Sequence, residues 1–448
     1  MMKKRLSILL AFVFSFLIIN VLHAEVRISA EDFLPPVQAK TSGEAAQLLQ
    51  VKQPEKVEVS EDKASGETVV RAETASDAFN SVVDTKKVGC VRAEFGSGFG
   101  WVATGMGTYE RMQDVVASRI SKRNAYIVAY MMAKKELAQA LSELSTEGKS
   151  RVREQMLLVS KADDSLKSIE SESAETLEQT VRKLLKGFVL YSVLDDEENT
   201  AVFVSIVSTP RTRGRFNRVE PDSIDAASVQ EGLNQVLAEL NSGLTPPVGN
   251  KMITVPATGE VAFIGFGSSV VRIDENQAVN ARLLLQAERV ADMRAADALC
   301  GVIVGDQTSW RGKLDERTTS MLADFEVAQK GDPISFTEDG TAYTELQKRK
   351  TSFINSLKES QQYESIRQGI LPPGVIRRAW TDEKSGFSYA VAVYLPSATA
   401  EARKDSAEMD AVDLLAPVPD KGTTRQKGPA EGEVEKGPSG KIHDEKSL

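Results

Sequence analysis

Gly187-Phe188-Val189-Leu190-Tyr191, Asp195-Asp196-Glu197 and Ala201-Val202-Phe203-Val204-Ser205-Ile206-Val207 lie over Gly374-Val375-Ile376-Arg377-Arg378, Asp382-Glu383-Lys384 and Ser388-Tyr389-Ala390-Val391-Ala392-Val393-Tyr394 without a gap, at one offset of 187. Two apolar runs around an acidic turn read as a β-hairpin. Its recurrence implies that one unit occurs twice in the chain. Upstream, Phe95-Gly96-Ser97-Gly98-Phe99-Gly100 before an Ala-rich helix is echoed by Phe263-Ile264-Gly265-Phe266-Gly267-Ser268 before another. What the halves share is glycine, alternation and apolar periodicity, which speak to fold rather than to chemistry.

Working outward, Val91 to Tyr109 alternates as a strand or hairpin would, and Val115 to Leu144 carries apolar residues at helical spacing. A second helical region is expected over about 151–185. The second unit repeats this with a strand from Glu260 to Ile273, a helix from Asn276 to Leu299, and helical segments near 314–329 and 343–368. Its final hairpin is Val375 to Trp380 and Phe387 to Leu395. The expected class is α+β: two tandem copies of a strand-helix-helix-hairpin domain with disordered N- and C-terminal tails. The boundaries are 1–24 for a signal peptide, 25–88 for a low-complexity segment, 89–210 for the first repeat, 211–257 for a linker with a short helix, 258–397 for the second repeat and 398–448 for a tail. The two outer segments are polar, with Phe33 and Phe79 the aromatic anchors of the first.

Lys3, Lys4 and Arg5, an apolar run from Leu6 to Ile19 and Leu22-His23-Ala24 form a secretory signal pattern. A retained membrane anchor is the competing reading of the same run. No cysteine follows it, so a lipidated N-terminus is not supported. Removing residues 1–24 takes away those three cations and no acid, moving the formal charge from −9 to −12. Such an acidic chain is a poor general binder of nucleic acid. Arg211, Arg213, Arg215 and Arg218 are the local exception, read as a solvated linker start, with an anion or envelope-polymer contact as the alternative. Cys90 and Cys300, the chain's two cysteines, occupy non-equivalent places; one bridge between the repeats and two small buried residues are the two readings.

Both histidines, His23 and His443, fall in the signal and the tail, which removes Ser-His-Asp and Cys-His catalysis and histidine-bearing zinc sites from the folded part. Gly96-Ser97-Gly98-Phe99-Gly100 with Gly105 and Gly107 lacks the spacing of a nucleotide loop and reads as a strand that admits a close neighbour. Asp195-Asp196-Glu197 and Asp382-Glu383 are turn chemistry, since carboxylates in water do not acquire the shifted pKa values that acid catalysis uses. A weak Ca²⁺ contact there does not fit the spacing of a helix-loop-helix calcium site. Arg119, Arg123, Arg282, Arg289 and Arg294 are expected on the polar sides of the two long helices, paired with Asp or Glu. No residue is nominated as catalytic, cofactor-binding or metal-ligating, and no cofactor is expected.

Gly265-Phe266-Gly267, the helix Ala281-Arg282-Leu283 through Ala287-Glu288-Arg289 to Ala295-Ala296, and Tyr389-Ala390-Val391-Ala392-Val393 together resemble a small α+β domain of bacterial envelope lipoproteins and of the N-terminal part of flagellar assembly protein T. The resemblance covers about 90–210 and 258–397. It implies a non-catalytic envelope or surface-assembly component; the missing lipid-acceptor cysteine departs from the lipoprotein members, and no site residue transfers. The expected function is an exported non-enzymatic scaffold, periplasmic or secreted, whose partners are envelope or surface-assembly proteins, with peptidoglycan or glycan contact a further option and neither nucleic acid nor nucleotide bound. The alternative is a carboxylate-dependent binder or hydrolase of envelope polysaccharide, with Trp101, Trp310 or Trp380 lining an open groove. A secreted effector is a third reading.

Overall fold

The computed structural model describes residues 57–61, 68–96, 98–144, 184–220, 222–305, 370–382 and 385–397, with a few isolated residues between them. The signal segment, residues 25–56 and 62–67 of the expected N-terminal tail, the expected C-terminal tail and almost all of the helical regions expected over 151–185, 314–329 and 343–368 lie outside the described residues.

The chain forms two six-stranded mixed sheets, each part of an α+β unit. The first unit contains β1 (Val57–Glu61), β2 (Thr68–Ala72), α1 (Ala75–Asp84), β3 (Gly89–Phe95), β4 (Gly98–Thr108), α2 (Val115–Ser142), β5 (Val189–Asp196) and β6 (Ala201–Ser208). A short helix, α3 (Pro210–Arg215), leads into the second: β7 (Phe216–Glu220), β8 (Ser223–Ala226), α4 (Val229–Asn241), β9 (Val248–Thr254), β10 (Val261–Val270), α5 (Gln277–Val304), β11 (Ile376–Asp382) and β12 (Phe387–Tyr394). The sheet orders are β1-β2-β3-β4-β6-β5 and β7-β8-β9-β10-β12-β11. In each, one pair is parallel, β2 with β3 and β8 with β9, and a helix makes the crossover between them.

Each unit therefore begins earlier than the sequence pattern placed it. The segment expected to be low-complexity contributes β1, β2 and α1, and the expected linker contributes α3, β7, β8, α4 and β9. These strands are short, and β1 is an edge strand with Val59 65 % exposed, so alternation has little length in which to show itself. α1 forms because Thr74 caps it, accepting from the Asp77 amide at 3.1 Å, and because Phe79 is fully buried, edge-on to Phe95 and Tyr191.

The long helices start on Asp114 and Asn276, whose side chains accept from first-turn amides, and Gly305 ends α5 in the left-handed region at φ 79°. Both helices lie unusually close to a strand. A Cβ on Gly105 would come within 2.1 Å of the Ala129 carbonyl oxygen, and one on Gly265 within 2.2 Å of that of Ala295. Gly107 and Gly267 face Ala125 and Ala291 in the same way. The structural echo between the units is thus Gly105-Met106-Gly107 with Gly265-Phe266-Gly267, while Gly96 lies in the β3–β4 turn and Gly100 faces Phe79 of α1.

This corrects the register of the repeat. Gly105 pairs with Val204 and Gly265 with Ala392, so the residues beneath the helices are 188 apart (204 to 392) rather than 187. With a side-chain period of two, an odd offset places every residue on the wrong face. The faces divide accordingly: Phe263, Ala390, Ala392 and Tyr394 pack under α5, while Ile264, Phe266, Tyr389, Val391 and Val393 belong to the larger core that includes α4 and the first unit. α2 lies between the two sheets. It packs on β4 through Ala125, Ala129 and Ala133, and its other side meets the second unit.

No disulfide joins the cysteines. Cys300 is buried within the smaller core, as the second reading has it, whereas Cys90 is only half-buried at the margin of the larger one.

Candidate functional site

The ionisable side chains drawn out of water gather where the two units meet. Helical periodicity alone put Arg119 and Arg123 on a solvated face; the second unit covers that face instead. Arg119 donates to the Val271 carbonyl. Arg123, 3 % exposed, donates to the Thr245 carbonyl at 2.9 Å and to the Tyr389 hydroxyl at 3.3 Å, with its guanidinium over the rings of Phe387 and Tyr389 at 5.1 and 5.6 Å. Burial lowers the Arg123 pKa, against the pull of Tyr389. Burial pushes Tyr126 well above the usual phenol value, with Asp195, Tyr389 and Asp382 adding to it. The partners expected for these arginines were carboxylates; carbonyls and aromatic faces hold them, because a delocalised, weakly hydrated guanidinium tolerates such surroundings. Arg294 likewise donates to the Ser268 carbonyl at 2.7 Å.

A second cluster centres on Glu239 of α4, 1 % exposed. Its carboxylate accepts from Arg218 of β7 at 2.5 Å, from Gln235 at 2.9 Å and from the Tyr130 hydroxyl of α2 at 3.1 Å. The Arg218 guanidinium sits 4.2 Å over Phe188, which precedes β5. Two segments of the second unit and two of the first thus converge on one buried ion pair. Burial would raise the Glu239 carboxyl, but Arg218 and Lys251 outweigh it and hold it below its ordinary value. Burial lowers the Lys251 amine to about 8, with Glu239 opposing that shift. The arginine run is therefore no solvated linker: Arg213 and Arg218 are buried, since Thr209 caps α3 and turns the chain directly into β7.

The first acidic turn is clamped by lysines. Asp196 pairs with Lys86 at 2.7 Å, and hydrogen bonds from Lys86 and Asn199 hold its carboxyl at about 2. Asp195 pairs with Lys122 and accepts from the Tyr109 hydroxyl at 3.2 Å. Burial opposes the Lys122 charge, but Asp195, Tyr109 and Glu197 raise its pKa overall. Such ion pairs fix the hairpin tip against the start of α2 and the turn that follows α1.

Of the tryptophans proposed to line a glycan groove, Trp101 is 1 % exposed and packs edge-on to Phe99. Trp380 is half-buried and stacks on Tyr389 with ring centroids 5.9 Å apart, and Trp310 lies outside the described residues. Among the described residues no group of three or more His, Cys, Asp and Glu side chains could hold a metal ion, and no helix is long and apolar enough to cross a membrane.

No protein-family model matches the chain, and no curated protein does. A solved structure similar to it, the hypothetical protein FTT1539c from Francisella tularensis, is 12 % identical over 78 % of this chain and 95 % of that one, with a TM-score of 0.23, too low to carry an argument.

Periodicity missed Glu239 and Lys251, and read Arg218 as part of a solvated run. The legible signal was a carboxylate beside the apolar stripe Leu233, Val236, Leu237 and Leu240, and a lysine set within the apolar strand β9. Lys251 yields a pH prediction. Its folded pKa lies below the ordinary 10.5, so between pH 8 and 10.5 the unfolded chain holds a proton that the folded chain has released, and stability from this group rises with pH. Below pH 8 the charged amine costs the fold up to about 3 kcal/mol, at about 1.4 kcal/mol per pH unit. Urea unfolding of wild type and Lys251→Met at pH 7.5, 8.5 and 9.5 is expected to show the wild type gaining on the variant by about 1–2 kcal/mol across the series. Parallel stability curves would mean that Lys251 titrates normally.

Proposed function

We propose that the chain is an exported, non-enzymatic protein of the cell envelope that acts as a scaffold or assembly component through protein contacts, its two units being copies of one domain. The observation that carries this reading is the use made of the buried charges. Arg123, Arg218 and Glu239 tie elements of the two units together, and the lysines at Asp195 and Asp196 brace a turn. A body joined in this way is suited to holding surfaces in fixed relation. The signal pattern of residues 1–24 supports export, and the resemblance to envelope-assembly domains supports the class of partner, which would be envelope or surface-assembly proteins. The burial of Trp101 and the stacking of Trp380 on Tyr389 give the polysaccharide reading no favouring observation.

Fractionation of cells carrying the full chain, with the mature N-terminus read by mass spectrometry, tests export. The expected result is a periplasmic or secreted chain beginning near Glu25; a cytoplasmic, unprocessed chain would contradict it. Hydrolase assays on peptidoglycan and glycan fragments, with tryptophan emission followed in the same titrations, are expected to show no turnover and no change in emission. Reproducible hydrolysis that co-purifies with the chain would overturn the non-enzymatic reading.

A further inference from the structure

The four sheet edges differ in what they meet. The sheet orders end on β1 and β5 in the first unit and on β7 and β11 in the second. β5 and β7 belong to the junction, where Arg218 of β7 donates to the Phe188 carbonyl beside β5 at 3.4 Å. β1 pairs with β2 over Val57–Glu61, and β11 pairs with β12 over Ile376–Asp382. Among the described residues neither has a partner on its other side, where its backbone N–H and C=O groups are left without a ladder. The side chains along these two edges are exposed: Glu58, Val59 and Glu61 in β1, and Ile376, Arg377 and Arg378 in β11.

The two edges carry opposite charge. β1 holds two carboxylates and no cation, and the exposed part of β11, residues 376–378, holds two guanidiniums and no anion. Glu58, Glu61 and Arg378 have no ion-pair partner among the described residues, and Arg377 meets Asp292 at 3.0 Å with its side chain still 47 % exposed. Charge of one sign along an edge keeps identical edges from pairing with one another. Here it disfavours β1 with β1 and β11 with β11, and favours β1 with β11. The faces agree as well. Val59 is opposite Val70 and Ile376 opposite Val393, and both partners lie in the larger core, so Val59 and Ile376 stand on the faces that carry α1 and α4. With Val59 set beside Ile376, one sheet continues into the next with α2 and α5 on the same side. The antiparallel alignment then brings Glu58 beside Arg377, and the parallel one brings Glu61 beside Arg378.

We infer that the β1 edge of one chain pairs with the β11 edge of a second copy, joining the two sheets edge to edge. The main-chain ladder supplies the contact, and the opposite charges select which edges make it. Such an interface is heterologous and joins copies head to tail, closing into a ring or extending as a filament. It goes beyond the scaffold reading and is tested on purified chain alone, so its failure would leave the envelope partners unaffected.

The test is the mass of the purified chain by sedimentation equilibrium over a wide concentration range. Wild type is expected to associate as concentration rises, and to do so severalfold more weakly when NaCl goes from about 0.1 to about 0.5 M, because salt screens exposed charges. Glu58→Arg/Glu61→Arg makes both edges basic, and Arg377→Glu/Arg378→Glu makes both acidic. Each variant alone is expected to remain monomeric with unchanged circular dichroism, since all four side chains are exposed. Mixed in equal amounts, the two variants again present opposite charges to one another and are expected to associate as the wild type does, a recovery that misfolded chains would not give. A wild type that stays monomeric throughout, a variant that associates alone as the wild type does, or a mixture that stays monomeric would overturn the inference.

Discussion

Gly105→Ala is expected to lower the stability of the folded chain by about 3 kcal/mol or more, beyond the ordinary range for overpacking a core. The added carbon would sit 2.1 Å from the Ala129 carbonyl oxygen and 2.3 Å from the Ala133 amide nitrogen, and both are backbone atoms that no rotamer change can move aside. The helix must lift from the strand. Because α2 also carries Arg123 and Tyr130 into the second unit, the displacement propagates to both clusters at the junction. Gly265→Ala meets the same obstacle at 2.2 Å, but α5 has solvent on its far side and can yield outward, so its loss is expected to be smaller. Gly259→Ala serves as the contrast. Nothing lies within 4 Å of its added carbon, and only its left-handed φ of 77° resists, at about 1–2 kcal/mol. Urea unfolding of the three variants measures the order; equal losses at 105 and 259 would contradict the close helix–strand approach.

Glu239→Leu is the second large effect. Removing one partner of a buried pair leaves the other charge uncompensated, at about 3–5 kcal/mol. Here two cations, Arg218 and Lys251, lose the carboxylate that offsets their burial, and the Tyr130 hydroxyl loses its acceptor. Glu239→Gln keeps the acceptor oxygen and is expected to lose less. The double variant Glu239→Leu/Arg218→Met is expected to recover part of the loss, because replacing both partners by apolar groups removes the stranded charge. A double-mutant cycle on these two positions reads the coupling directly; additive losses would show that the pair contributes no interaction of its own.

What the sequence made legible follows from the reach of its periodicities. β5, β6, β11 and β12 fall on the quoted stretches, and α2 and α5 fall within a few residues of the expected helices, because each is long enough for a period to be counted. β1, β7 and β8 are four or five residues long, too short for two-residue alternation to stand out from a polar loop. The ungapped match at 187 failed for a different reason. Alternating small and branched residues match almost equally well at neighbouring offsets, and only the glycines beneath the helices fix the pleat. The placement of Arg123 was illegible in principle: helical spacing tells which residues share a side, and a helix packed between two sheets has two buried sides. The same holds for Glu239, whose cation comes from a strand read as a linker.

The most direct test of the account is capture of partners from intact envelopes. A tag placed after the signal segment, in vivo crosslinking and mass spectrometry of the purified complexes are expected to return a defined, recurrent set of envelope or appendage proteins crosslinked to the chain. Recovery of bulk peptidoglycan, or of the chain with no crosslinked protein, would contradict the scaffold reading.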